Sequence, residues 1–194
     1  MTINLNDSLN THRAKHRKID VVLPQDTELD RLLVATLAAG KDEKKKALAL
    51  FGPVLIETSR IKVTAHGSCK NAGKINAAAG AAIYWGPDAP RNKSIRVHGT
   101  QNNARADLTA VISALQYASA DDSLEISTRS AYAIRAAKYY AFNNDARGWR
   151  CANGDLLKTM GSLIKERSAP VHFLHIKKGA NLSGHLKGAK ALAK

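Results

Sequence analysis

One short stretch, VTAHGSCKNAG at residues 63–73, is typical of a strand that runs into a glycine-punctuated turn. Enzymes often place a catalytic carboxylate at such an edge, because loops held by a rigid scaffold carry function. This chain has His66 there instead. The imidazole could act as a general base, or it could stand where the chemistry of a carboxylate has been lost. The residues that the fold brings beside His66 decide between these interpretations.

The charge of the chain predicts a polyanionic partner. Thirty lysine and arginine residues stand against 16 acidic residues, which gives a formal charge of +14 in 194 residues. Such a surplus is typical of nucleic-acid-binding proteins, although a basic surface can also serve solubility alone. Part of the charge lies in a basic arm, residues 12–18. Four residues of this arm are predicted to bind nucleic acid: Arg13, Lys15, Arg17 and Lys18.

The cysteines and the apolar pattern exclude several classes of protein. Two cysteines, Cys69 and Cys151, cannot form a disulfide framework, and no neighbouring ligands stand at the spacing of a zinc site. No apolar run reaches the length of a membrane span, and the first 20 residues are polar where a signal peptide would be apolar. We therefore expect an intracellular protein, cytoplasmic or nuclear, with no membrane partner and no cofactor.

The hydrophobic pattern divides the chain into an extension, residues 1–59, and a domain, residues 60–194. In the extension, a first predicted helix ends at Gly40 and carries four leucines at helical spacing: Leu29, Leu32, Leu33 and Leu37. A second predicted helix follows. In the domain, three hairpin strands precede strands that alternate with helices. This order predicts an α/β fold, a five-stranded mixed sheet flanked by helices.

The predicted elements of the domain follow from changes in hydrophobic period. Strands are predicted at residues 60–66, 81–85, 94–98, 124–128 and 171–176. Helices are predicted around Leu108 to Leu115, from Ser130 through Phe142, from Asp155 to Arg167, and over a final stretch that runs to Lys194.

Several motifs of the domain resemble ribonuclease H of the small eukaryotic and retroelement kind, in that family's order and spacing. They are HGSC at 66–69, YWGPD at 84–88, QNNARADL at 101–108, TRS at 128–130, and GW followed by NGDL at 148–156. The resemblance implies the ribonuclease H fold. It also implies the family's chemistry, in which two magnesium ions held by four carboxylates hydrolyse the RNA strand of an RNA/DNA hybrid.

The resemblance places altered residues at the four carboxylate positions. Where the family has Asp, Glu, Asp and Asp, this chain has His66, Asp107, Arg129 and Ala189, or Lys190 if the last register shifts by one. One acid remains, and the charge of Arg129 cancels it. Magnesium requires oxygen ligands. We therefore predict a ribonuclease H-like protein that is not an enzyme and that holds no metal.

The resemblance also implies a surface for nucleic acid. The residues predicted to contact it are Asn103, Arg105, Arg129, Trp149, Lys177 and Lys178, together with the basic arm. The predicted function is binding of RNA or RNA/DNA hybrid backbone without cleavage. One alternative is a structural or assembly protein, capsid-like or derived from a retroelement or virus, that self-associates through the N-terminal helices. Another is a metal-independent nuclease that uses His66 and Asp107.

Overall fold

A computed structural model of the protein describes residues 43–55, 58–177 and 184–193, without the side chains of Glu43, Lys44 and Phe142. The basic arm and the four leucines of the extension therefore lie outside the described residues, as does Lys178. Within the described ranges, no helix has both the length and the apolar character that a membrane crossing needs.

The centre of the fold is a five-stranded sheet in the order β3-β2-β1-β4-β5. The strands are β1 (Ile61–Lys70), β2 (Ala78–Tyr84), β3 (Lys93–Arg96), β4 (Leu124–Thr128) and β5 (Val171–His175). The first three form an antiparallel meander, and β4 lies parallel to both β1 and β5. The predicted mixed sheet with flanking helices is confirmed.

Six α-helices and one π-helical segment complete the described part of the chain. They are α1 (Glu43–Phe51), α2 (Asn103–Tyr117), α3 (Ala131–Arg135), the π-helical segment (Ala136–Tyr140), α4 (Ala141–Ala146), α5 (Gly154–Lys165) and α6 (Gly184–Leu192). The helix predicted from Ser130 through Phe142 thus runs on to Ala146 and includes a wider turn. No residue type in the π-helical segment, AAKYY, marks such a turn, because all of these residues also occur in ordinary helices.

The core lies between the sheet and its helices, and it fixes the strand that carries His66. Val63 and Ala65 of β1 are 1% exposed, and Leu124 and Ile126 of β4 are fully buried. Burial of each of these larger aliphatic side chains contributes about 1.5–3 kcal/mol relative to exposure. β2 is covered on both faces, since consecutive residues 81–83 are fully buried and both α2 and α6 contact the strand.

The crossing of β1 and α2 requires a glycine at residue 67. A Cβ atom added at Gly67 would lie 2.2 Å from the backbone nitrogen of Asp107 and 2.3 Å from the carbonyl carbon of Ala106. Both are backbone atoms and cannot rotate away, so any larger residue would push α2 off the strand. The close approach places Asp107 against Gly67, the residue after His66.

The described end of the extension packs on the domain. Leu50 of α1 is 9% exposed and lies in a small apolar cluster with Ala141 and Trp149. The helix ends at Phe51, and the φ of 80° at Gly52 suits the residue after a helix. Beyond it, the backbone N–H of Leu55 donates a hydrogen bond to the carbonyl of Ser168 at 2.9 Å. The boundary at residue 59 stays a prediction.

Candidate functional site

Four elements meet around His66 at the centre of the sheet, and the side chains that they bring there, His66, Asp107, Arg129 and Lys190, are together called the pocket below. Ala65 of β1 pairs with Thr128 of β4, so Arg129 follows at the level of His66. From α2, Asp107 accepts a hydrogen bond at Oδ1 from the backbone N–H of Gly67 at 2.8 Å. The fourth element, α6, contacts both β1 and β2. The structure therefore brings together the positions that the sequence motifs align.

Asp107 is a half-buried carboxylate whose oxygens are engaged by the protein. Burial raises the pKa of its carboxyl above the ordinary value, while hydrogen bonds from Gly67 and Ser130 and the charge of Arg129 act in the opposite direction. The Ser130 hydroxyl also accepts a hydrogen bond from the backbone N–H of Ala133, and so caps α3. One serine thus joins the helix start to the pocket, a second role that capping propensity alone does not reveal.

His66 is favoured in its neutral form. Burial is the main cause that lowers the pKa of the imidazole, and the positive charges of Lys190 and Arg129 lower it further. The buried Nδ1 atom has no hydrogen-bond partner in the described part of the chain. By residue type, with the imidazole counted as neutral, one acid (Asp107) stands against two bases (Arg129 and Lys190), so the formal charge of the pocket is +1.

The last position of the pocket is occupied by Lys190 and not by Ala189. Ala189 is fully buried, whereas Lys190 is half-buried and close enough for its charge to act on His66. Close contacts set this register of α6: a Cβ atom added at Gly188 would lie 2.4 Å from the ring of Tyr84, and one added at Gly80 would lie 2.8 Å from the carbonyl oxygen of Ala193. Of the two registers that the motifs allow, the shifted one brings its residue to the pocket.

These residues do not fit a centre for two magnesium ions. Such a centre needs several oxygen ligands, and carboxylates supply them in proteins. Asp107 is the pocket's one carboxylate among the described residues, and no group of three or more His, Cys, Asp or Glu side chains in those ranges could hold a metal ion. Arg129 and Lys190 would also repel a divalent cation.

Two of the predicted contact residues, Asn103 and Arg105, make bonds inside the protein. Asn103 accepts a hydrogen bond at Oδ1 from the backbone N–H of Cys69 at 2.8 Å. Arg105 forms a two-pronged ion pair with Asp155 and donates from Nε to the carbonyl of His98. The hydrogen bond from Arg105 lowers the pKa of the Asp155 carboxyl. Both residues join elements of the scaffold, and their contact with nucleic acid stays a prediction.

Trp149, the predicted aromatic contact, also packs within the domain. Its indole lies against Gly161, where an added Cβ would be 3.3 Å from the ring, and its N–H donates to Asp145 at 3.0 Å. The backbone of Trp149 is left-handed, with φ of 58°. By contrast, Lys177 is exposed just beyond β5.

The buried imidazole makes stability depend on pH. The unfolded chain takes up a proton at residue 66 near pH 6.5, whereas the native pocket holds the pKa of His66 below that value. The unfolded state therefore binds more protons below about pH 6.5, and native stability falls as the pH falls from 7 to 5. We expect His66→Gln to reduce this loss in urea melts across that range. An unchanged pH slope in the variant would show that His66 titrates freely.

Comparison with known proteins relates the domain to one family. Residues 59–189, more than half of the chain, match the RNase H family. Ribonuclease H1 of Mus musculus is 34% identical over 90 residues, which are 45% of this chain and 32% of the mouse protein. Ribonuclease H of Schizosaccharomyces pombe is 31% identical over 124 residues, 60% of this chain and 46% of the yeast protein. The chain spans less than half the length of these curated relatives.

A solved structure shows the same fold. A foamy viral protease-reverse transcriptase in complex with dsDNA superposes with a TM-score of 0.57 over 73% of this chain and 94% of the viral chain. Its sequence identity is 16%, so the likeness concerns the fold alone.

Proposed function

Because the chain belongs to the ribonuclease H family, we propose that its domain binds the backbone of RNA or of an RNA/DNA hybrid and does not cleave it. The observation that carries the proposal is the charge of the pocket. Arg129 and Lys190 lie around His66, and Asp107 is the one carboxylate beside them in the part of the chain that the structure describes. Cations at this place attract phosphate, whereas four carboxylates would repel it unless metal ions were bound.

The chemistry of the pocket supports binding more than catalysis. An arginine can hold a phosphate through two parallel hydrogen bonds, and a lysine adds a point charge. Asp107, the residue best suited to hold a metal or a water, already accepts bonds from Gly67 and Ser130. A backbone phosphate can therefore be held by Arg129 and Lys190 without an activated water beside it.

The geometry gives little support to the alternative of a metal-independent nuclease that uses His66 and Asp107. A base of this kind is usually oriented by a carboxylate through its second nitrogen. The Nδ1 atom of His66 has no hydrogen-bond partner in the described ranges, so Asp107 does not orient the ring through it. The assembly alternative and self-association through the N-terminal helices stay predictions, which the mass of the protein in solution would test.

Charge reversal at Arg129 tests the proposal. We expect Arg129→Asp to weaken binding of a labelled RNA/DNA hybrid by about tenfold or more, because a charge-assisted hydrogen bond contributes about 1.5–3 kcal/mol and an acid adds repulsion. Fluorescence anisotropy titrations would measure the dissociation constant.

Arg60→Asp is the matched control. Arg60 precedes β1, about 20 Å along the strand from His66 at about 3.3 Å per residue. Its side chain is 51% exposed and pairs with Glu125 at 3.8 Å. Because Arg60→Asp breaks this pair, its melting temperature is measured first, and the loss should be about 1 kcal/mol or less. Arg60→Asp changes the net charge by the same amount as Arg129→Asp, but it should weaken binding of the hybrid much less. Equal losses in the two variants would show that diffuse charge, and not the pocket, binds the hybrid.

A further inference from the structure

An apolar groove lies on the side of the domain where the extension enters. It has a volume of about 640 Å³ and lies between α1, the π-helical segment and the stretch that leads into β5. Its lining includes Leu48, Phe51, Val54, Ile164 and Phe173. Leu48 is 56% exposed and Val54 is 58% exposed. Large apolar side chains grouped in a groove usually mark a surface that another element covers.

The preceding part of the chain has the composition to cover this groove. Residues 27–39, here called the leucine segment, carry their leucines at helical spacing: Leu29, Leu32, Leu33 and Leu37. All four fall on one side of an ideal helix, since positions three, four and eight residues apart share a face. This stripe would be exposed to water unless it were packed against an apolar surface.

The connection to α1 limits where the leucine segment can go. Only residues 40–42 separate it from Glu43, the first residue of α1. Helices joined by such a short link pack side by side and antiparallel. As a helix of 13 residues, the leucine segment would be about 20 Å long against about 13 Å for α1, at about 1.5 Å per residue. It would therefore pass Phe51 and reach Val54, along the rim of the groove.

Charge is also complementary between the leucine segment and the groove. Three acidic residues lie at the start of the segment or just before it, Asp26, Glu28 and Asp30. Lys138 lines the groove and is exposed. Attraction between these charges favours this contact, although an exposed pair adds at most about 1 kcal/mol.

We propose that the leucine segment forms a helix antiparallel to α1 and places its leucines in this groove, within the same molecule. The extension then becomes part of the folded domain and not a separate module.

A double-mutant cycle in the full chain tests this contact. Leu48→Asp and Leu33→Asp should each lower the melting temperature by about 4–8 °C, because each places a charge in a covered apolar contact. The double variant should lose clearly less than the two shifts added together, since one substitution already opens the groove. As a control, Ala35→Asp with Ala38→Asp lies on the opposite side of the predicted helix and should shift the melting temperature little.

Two outcomes would overturn the proposal. Additive shifts from Leu48→Asp and Leu33→Asp would mean that the two leucines do not share a contact. Coupled shifts in a protein whose mass in solution is that of a dimer, with a melting temperature that rises with protein concentration, would assign the groove to a second copy of the chain. Coupled shifts in a monomer at every concentration support the intramolecular helix.

Discussion

In millimolar magnesium or manganese, we expect the protein to leave the RNA strand of an RNA/DNA hybrid uncut. Cleavage by two metal ions requires a cluster of carboxylates, and the pocket holds Asp107 together with Arg129 and Lys190. A denaturing gel of the labelled RNA strand after incubation would measure the product. Metal-dependent cleavage that Asp107→Ala abolishes would contradict this expectation, because it would show that one carboxylate suffices to organise the metal.

A variant with restored acids provides the positive control. It combines His66→Asp, Asp107→Glu, Arg129→Asp and Lys190→Asp. Four carboxylates in one pocket repel one another, so the variant should melt below the parent without metal, and magnesium should raise its melting temperature. The parent should show no such rise. If magnesium does not change the melting temperature of the variant, the four side chains do not lie close enough together to bind a metal ion.

Binding of RNA or hybrid should depend strongly on salt. If the protein neutralises about four phosphates, affinity should fall by about 100-fold between about 50 mM and 200 mM salt, because each neutralised phosphate releases condensed counterions. The sequence of the RNA should matter little, since backbone contacts carry no base information. Anisotropy titrations at several salt concentrations would give the slope of log affinity against log salt. A flat slope would exclude backbone binding.

Neutralising the basic arm separates its contribution from that of the pocket. Changing Arg13, Lys15, Arg17 and Lys18 to Gln should make the slope shallower, by about 0.9 for each phosphate that the arm no longer neutralises. Arg129→Asp should instead weaken binding even at the lowest salt concentration. If the arm variant loses all binding while Arg129→Asp loses none, the pocket is not part of the interface, and an assembly role becomes the better interpretation.

The sequence predicts the number of strands and the mixed sheet, because period-two alternation and turn residues act locally, but the first strand continues beyond His66 to Lys70. The strand at Leu124–Thr128 has the predicted bounds, and alternate residues of it are buried on the core side. The π-helical segment after Arg135 could not be predicted, since its residues are ordinary helix formers. The motifs also predict that His66, Asp107 and Arg129 lie close together, because the order and spacing of the motifs match those of a family with a known fold.

Side-chain partners were harder to predict than positions. The contact of Arg105 with nucleic acid stays a prediction, whereas its ion pair with Asp155, 50 residues away in the chain, is not predicted from the sequence. Such a pairing depends on how α2 and α5 pack, which no local pattern contains. Whether Ala189 or Lys190 lies at the pocket likewise depends on how α6 packs against β2, where small residues allow close contact.

Binding of a labelled RNA/DNA hybrid in the presence of EDTA would test most directly whether Arg129 and Lys190 have replaced metal ions in holding phosphate. The parent and the acid-restored variant would be titrated side by side by fluorescence anisotropy, at one salt concentration and below the melting temperature of both. We expect the parent to bind at least about tenfold more tightly, because its pocket attracts phosphate while four uncompensated carboxylates repel it. Equal affinity of the two proteins without metal would contradict the proposed function, since the pocket could not then contact the backbone.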